Sequence, residues 1–133
     1  MLHINLRDGE QVVINGAVLR ATGRVALCVE NESAVLRGRD IMHPDEATTP
    51  ARRAYLACML AYIDPDAGTA HGNAAVAHAA EAFAAIGSDE AQALCAELID
   101  RVAEQRLYQA LGLCRALIRL EDEAVPLLAV VQD

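Results

Sequence analysis

The chain has 133 residues, a formal net charge of −8, 54% hydrophobic residues, four cysteines and no tryptophan. That length fits one domain or two very small ones. The longest apolar run, Ala124 to Val131, is broken by Pro126, and no basic flank precedes an N-terminal apolar stretch, so neither a membrane span nor a signal peptide is expected. Cys28, Cys58, Cys95 and Cys114 lie far apart with no C-x-x-C, the pattern of buried, reduced thiols rather than of a disulfide or zinc set.

The charge is uneven along the chain. Residues 1–53 carry seven arginines against seven acids, whereas residues 54–133 carry four against twelve, and lysine is absent throughout. A cationic set made only of arginine can bond bidentately to phosphates and guanine edges. A GC-rich genome favouring Arg and Ala codons accounts for the same composition, so arginine usage alone decides nothing.

In chain order, Leu2, Ile4 and Leu6 alternate with His3, Asn5 and Arg7, the period-2 pattern of a half-buried strand. Asp8-Gly9 is a turn signal, Gln11 to Ile14 a second strand, and Asn15-Gly16 a dipeptide suited to a type I′ hairpin. A third strand is predicted from Ala17 to the Thr22-Gly23 turn, a fourth over Val25 to Val29, and a fifth opening at Ala34 to Leu36 after Asn31-Glu32-Ser33. The result is a small antiparallel sheet or barrel, near the lower limit of what can bury its own core, which needs cover from helices or from a second subunit.

The pattern breaks between His43 and Thr49. Thr49-Pro50 reads as N-cap and first helical residue of a helix ending near Ile63, stopped by Asp64-Pro65-Asp66. A second helix is predicted from about Asn73 to Ile86, with Gly72 disfavouring an earlier start, and Gly87 ending it. Ser88 caps a third, about Asp89 to Glu104, and a fourth covers about Leu107 to Asp122 with Leu111, Cys114, Leu117, Ile118 and Glu121 at three- and four-residue steps. The last two should pack as an antiparallel hairpin; the tail after Pro126 is not assigned. The expected class is therefore α+β, a β-domain over residues 1–45 and an α-helical domain over 46–133.

His3, His43, His71 and His78 fall in no metal-ligand spacing, and the glycines form neither G-x-G-x-x-G nor a P-loop. No Ser or Cys stands in a nucleophile motif, and Glu121-Asp122-Glu123 reads as a solvated helix end. These features point to a binding protein without cofactor or metal rather than to an enzyme. Residues 1–54 lack Phe, Tyr and Trp, so a nucleic-acid surface there has no aromatic stacking platform and depends on arginine, Asn5 and main-chain groups. From composition alone, Arg7, Arg37 and Arg39 are as well explained as solvent-facing residues of a supporting sheet. Arg37 and Arg39 share one face only if the last strand stays extended through Gly38.

Met1 to Glu10, continuing through Ile14 and Val18, resembles the opening strand pair of the carbon-storage regulator (CsrA) family of RNA-binding dimers. Leu2, Arg7, Gly9, Glu10, Ile14 and Val18 match, and Ala34 to Ile41 resembles that family's last strand. The chain as a whole is more similar to the FlbT family of flagellar regulators. The likeness is carried by R-D-G-E at 7–10, V-V-I-N-G-A-V-L at 12–19, V-L-R-G-R-D-I-M at 35–42, P-D-E-A-T-T-P-A-R-R at 44–53 and Ala61-Tyr62-Ile63-Asp64-Pro65. It implies a cytoplasmic post-transcriptional regulator that binds the 5′ untranslated region of flagellin mRNA and lowers translation and stability, working with a companion flagellar regulatory protein. The CsrA likeness implies a homodimer with exchanged strands; the RNA contacts expected are Arg7, which strand alternation puts on the face opposite Leu2, Ile4 and Leu6, with Asn5 and one of Arg37 or Arg39. Leu6 stands where the RNA-binding relatives carry a further arginine, and Arg37 aligns with their last-strand arginine only on a one-residue slip. The rival expectation is an adaptor whose helical hairpin binds a flagellar or regulatory protein, with the sheet serving only to dimerise.

Overall fold

The computed structural model describes residues 1–132, with side chains through Ala124. Its chain divides into two compact units, Met1–Ile41 and the residues from Met42 onward.

The first unit is all β, with strands β1 Leu2–Leu6, β2 Gln11–Ile14, β3 Ala17–Arg20, β4 Val25–Val29 and β5 Val35–Arg37. The strands form two small antiparallel sheets, β1-β4 and β3-β2-β5, rather than a closed barrel. Ile4, Leu6, Val12 and Ala21 make the core, with Ile14, Val25, Leu27, Val29 and Val35 packed on it. Asn15 and Gly16 both take positive φ (51° and 87°), the backbone that a type I′ turn requires. Past Arg20 the pairing carries on for one residue, since the buried Ala21 donates to Glu10 O at 2.9 Å and accepts from Gly9 N at 2.8 Å. Leu2 does not join Ile4 and Leu6 in the core; it is exposed at the strand's outer end. β5 ends at Arg37, since Gly38 at φ +59° starts a short 3₁₀ turn over Gly38–Asp40. Arg37 and Arg39 consequently do not share a strand face.

The second unit holds four helices: α1 Pro50–Ile63, α2 Gly68–Ile86, α3 Asp89–Ala103 and α4 Leu107–Gln132. Thr49 Oγ1 accepts from Arg52 N at 3.2 Å and Ser88 Oγ from Ala91 N at 3.1 Å, so both expected caps are made. Gly87 at φ +72° closes α2 with its N–H on Phe83 O. α4 runs on past Asp122, beyond the expected end, and α3 and α4 pack together across the connection Glu104 to Arg106.

α2 begins at Gly68, because Gly72 is a packing residue and not a helix breaker. Gly72 is buried, and a Cβ added there would stand 3.0 Å from Val102 Cγ1 of α3. A branched side chain there crowds Val102, which must give way, and overpacking of that kind costs ~1 to 3 kcal/mol. Gly72→Val should therefore lower the urea midpoint, and adding Val102→Ala should recover part of the loss. Equal stability of Gly72→Val and the parent would contradict this close approach.

The core stripe of α4, Leu111, Cys114 and Leu117, is fully buried. Glu121 continues it and is only 4% exposed, so the acidic cluster at 121–123 is not simply a solvated face. Its Oε2 accepts from Ala51 N at 3.0 Å, and Arg52 makes paired bonds to Asp122 at 2.9 and 3.0 Å. The Asp122 bond, with the nearby charges of Asp122 and Glu121, holds the Arg52 guanidinium above its usual pKa against the opposing effect of burial. Arg115 lies over the Tyr55 ring and donates to its Oη at 3.0 Å. All four cysteines are free, but Cys28 is exposed on the outer face of β4 and only Cys58 and Cys114 are fully buried. A hydrogen bond with Cys58 and burial push the Cys114 thiol well above its ordinary pKa. Among the described residues, no helix is long and apolar enough to cross a membrane.

Candidate nucleic-acid interface

The site grows out of the turn after β1. Arg7 N donates to Glu10 Oε1 at 2.8 Å and Glu10 N to Arg7 O at 3.0 Å, closing the turn around Gly9, whose φ is +83°. Asp8 Oδ1 accepts from Gly23 N at 2.8 Å, while Gly9 N bonds to Ala21 O at 2.8 Å. The R-D-G-E segment is thereby stitched to the turn that precedes β4 through its main chain and the Asp8 and Glu10 carboxylates. Arg20 belongs to the same frame, because its Nη1 donates to Gly9 O at 3.1 Å.

β1 and β4 pair from Leu2↔Val29 to Leu6↔Val25. Arg7 follows and Arg24 precedes the last pair, Leu6↔Val25, at the end of that ladder. Arg37, paired with Val12 in the other sheet, reaches across and donates from Nη2 to Asn5 O at 2.9 Å. These elements surround a cavity of about 820 Å³ lined by Asn5, Arg7, Glu10, Arg24 and Arg37, with Leu6, Val25 and Ala26 as its apolar part.

Of the residues expected from the sequence, Asn5, Arg7 and Arg37 are brought together. Arg39 is exposed in the 3₁₀ turn and does not line the cavity. Arg24 was not anticipated: it follows a Thr-Gly turn and lies outside any strand, and only the β1-β4 pairing gives it a place. Three arginines thus line one cavity with a single carboxylate, Glu10, which already accepts the Arg7 main-chain N–H. A bound anion offsets that excess of positive charge. Guanidinium groups suit an oxyanion such as phosphate because they present parallel N–H donors in a planar fork. Among the described residues, no group of three or more His, Cys, Asp or Glu is placed to hold a metal.

The model of the family described as flagellar protein FlbT matches residues 2–125. The chain belongs to the FlbT family. It is similar to a protein of Caulobacter sp. (strain K31) named "Probable flagellum biosynthesis repressor protein FlbT", with 35% identity over 92% of this chain and 94% of the relative. The "Flagellum biosynthesis repressor protein FlbT" of Caulobacter vibrioides (strain ATCC 19089 / CIP 103742 / CB 15) is 34% identical over 92% of this chain and 87% of its own length. The probable FlbT of Agrobacterium fabrum is 31% identical over 92% and 82%. No solved structure matches the chain. In this FlbT-family chain the segment 44–53 is explained by local structure: Pro44–Glu46 forms a 3₁₀ turn, Thr49 caps α1, and Arg52 joins α1 to α4.

Proposed function

We propose that the protein is a cytoplasmic repressor of flagellum biosynthesis that acts after transcription, binding the 5′ untranslated region of flagellin mRNA through the arginine cavity of its β unit and lowering translation and stability. The observation that carries this reading is the convergence of Arg7, Arg24 and Arg37 on one cavity in a chain of net charge −8. An isolated cationic focus on an acidic protein concentrates phosphate locally while the rest of the surface rejects nonspecific polyanions. The names of the Caulobacter relatives support the repressor role, and the likeness of residues 1–18 to the CsrA family supports RNA as the ligand. With no aromatic platform in this unit, recognition rests on phosphate contacts, guanine edges and the main chain around Asn5.

Gel-shift titration of the full chain with flagellin leader RNA and an unrelated leader, across several salt concentrations, tests the reading. Preferential, salt-sensitive binding of the flagellin leader is expected. Absence of RNA binding would leave the protein-adaptor function.

The same reading includes a homodimer. All of β3 is exposed at the open edge of its sheet, with Val18 at 64% and Leu19 at 45%, and such an apolar edge gains by pairing with a copy of itself. Sedimentation equilibrium should give a dimer, and Val18→Lys should shift it toward monomer. A parent chain that stays monomeric at all concentrations excludes this part of the proposal.

A further inference from the structure

A second cavity, of about 310 Å³, lies wholly within the helical unit. α1 contributes Arg53, Leu56, Ala57 and Leu60, whose three- and four-residue spacing puts them on one helix face. α2 contributes His71 and His78, which lie two turns apart on a helix kept continuous through Gly72. Its lining residues include cationic Arg53, two imidazoles and apolar side chains, and no carboxylate among the described residues. Glu81 is adjacent, 3.3 Å from His78 Nδ1. The setting is otherwise strongly acidic, since residues 42–133 hold six arginines against fourteen carboxylates.

We propose that this α1-α2 cavity is a docking site for a partner protein, which inserts an apolar side chain between Leu56 and Leu60 and sets a neighbouring carboxylate on Arg53. Size and charge select this occupant. The volume is at the bottom of the range of about 300 to 1,000 Å³ that encloses a whole small ligand, yet it suits the anchor side chain of a peptide segment. The acidic surroundings disfavour a polyphosphate chain, which must approach along an extended surface, far more than a single carboxylate delivered by a neutral or mildly acidic helix. This surface is on α1 and α2, not on the α3-α4 hairpin expected from the sequence, and it is independent of RNA binding at the β unit.

The test is fluorescence anisotropy of the full chain with two labelled helical peptides on the same Ala/Leu frame, one with Glu and the other with Lys one turn from the central Leu. The Glu peptide should bind saturably and the Lys peptide about tenfold or more weakly, consistent with the cost of breaking an interfacial charge pair. Arg53→Glu should invert that preference, a result misfolding cannot produce, and Leu60→Ser should weaken both peptides while helical circular dichroism stays unchanged. The proposal is overturned if neither peptide binds, if both bind alike, if Arg53→Glu leaves the preference intact, or if flagellin leader RNA displaces the Glu peptide.

Discussion

Glu121→Ala should destabilise the helical unit by ~2 to 3 kcal/mol, because it strands a buried main-chain donor and breaks a buried charged contact. The first turn of α1 shows why. Pro50 has no N–H, Arg52 N is held by Thr49 Oγ1, and Arg53 N bonds to Thr49 O at 2.8 Å. Ala51 N is the remaining donor, it is buried, and Glu121 Oε2 is its acceptor. A carboxylate at a helix N-terminus also gains from the helix dipole. Arg52 keeps its paired bonds to Asp122 in the variant, which holds the loss below that of a buried pair left with an uncompensated charge. Glu121→Gln retains an acceptor and should cost only about 1 kcal/mol, the size of one net hydrogen bond or dipole contact. Urea unfolding with an unchanged slope measures both; a Glu121→Ala midpoint equal to the parent's would refute the capping role.

Combined Arg7→Ala, Arg24→Ala and Arg37→Ala substitution should reduce affinity for flagellin leader RNA by ~100-fold or more, since even a base contact alone is worth ~1 to 3 kcal/mol. Each phosphate-contacting arginine removed should flatten the dependence of log affinity on log salt by roughly 0.7 for single-stranded RNA. The single variants distinguish roles. Loss of a phosphate contact weakens flagellin and unrelated leaders alike, while loss of a base-reading arginine narrows the difference between them. Arg37 is the stronger candidate for base reading, because its bond to Asn5 O fixes the direction of the guanidinium. Arg39→Ala, outside the cavity, should have the smallest effect. The substitutions should leave folding intact, as all three side chains are exposed. Unchanged binding by the triple variant would make the sheet structural and leave the adaptor function.

Local chemistry determined much of this protein without reference to its tertiary structure. Strand alternation placed β1 and β4, Asn15-Gly16 placed the β2-β3 hairpin, and Thr49-Pro50 and Gly87-Ser88 placed helix boundaries, because turns and caps depend on side chains within a few residues of one another. Those signals reach no further than the next turn. They could not show that β1 pairs with β4 instead of its neighbour β2, the pairing that brings Arg24 to the cavity Arg7 lines. Nor could they show that Glu121 turns inward to cap a helix seventy residues away in sequence, or that Gly72 is small because Val102 approaches it. Arg39 lies apart from Arg37 for the converse reason: a positive φ at Gly38 ends the strand, and a glycine in sequence permits that conformation without requiring it. Which residues form elements was decided by nearest neighbours along the chain; which arginines share a cavity and which carboxylate is buried were decided by contacts between elements far apart in sequence.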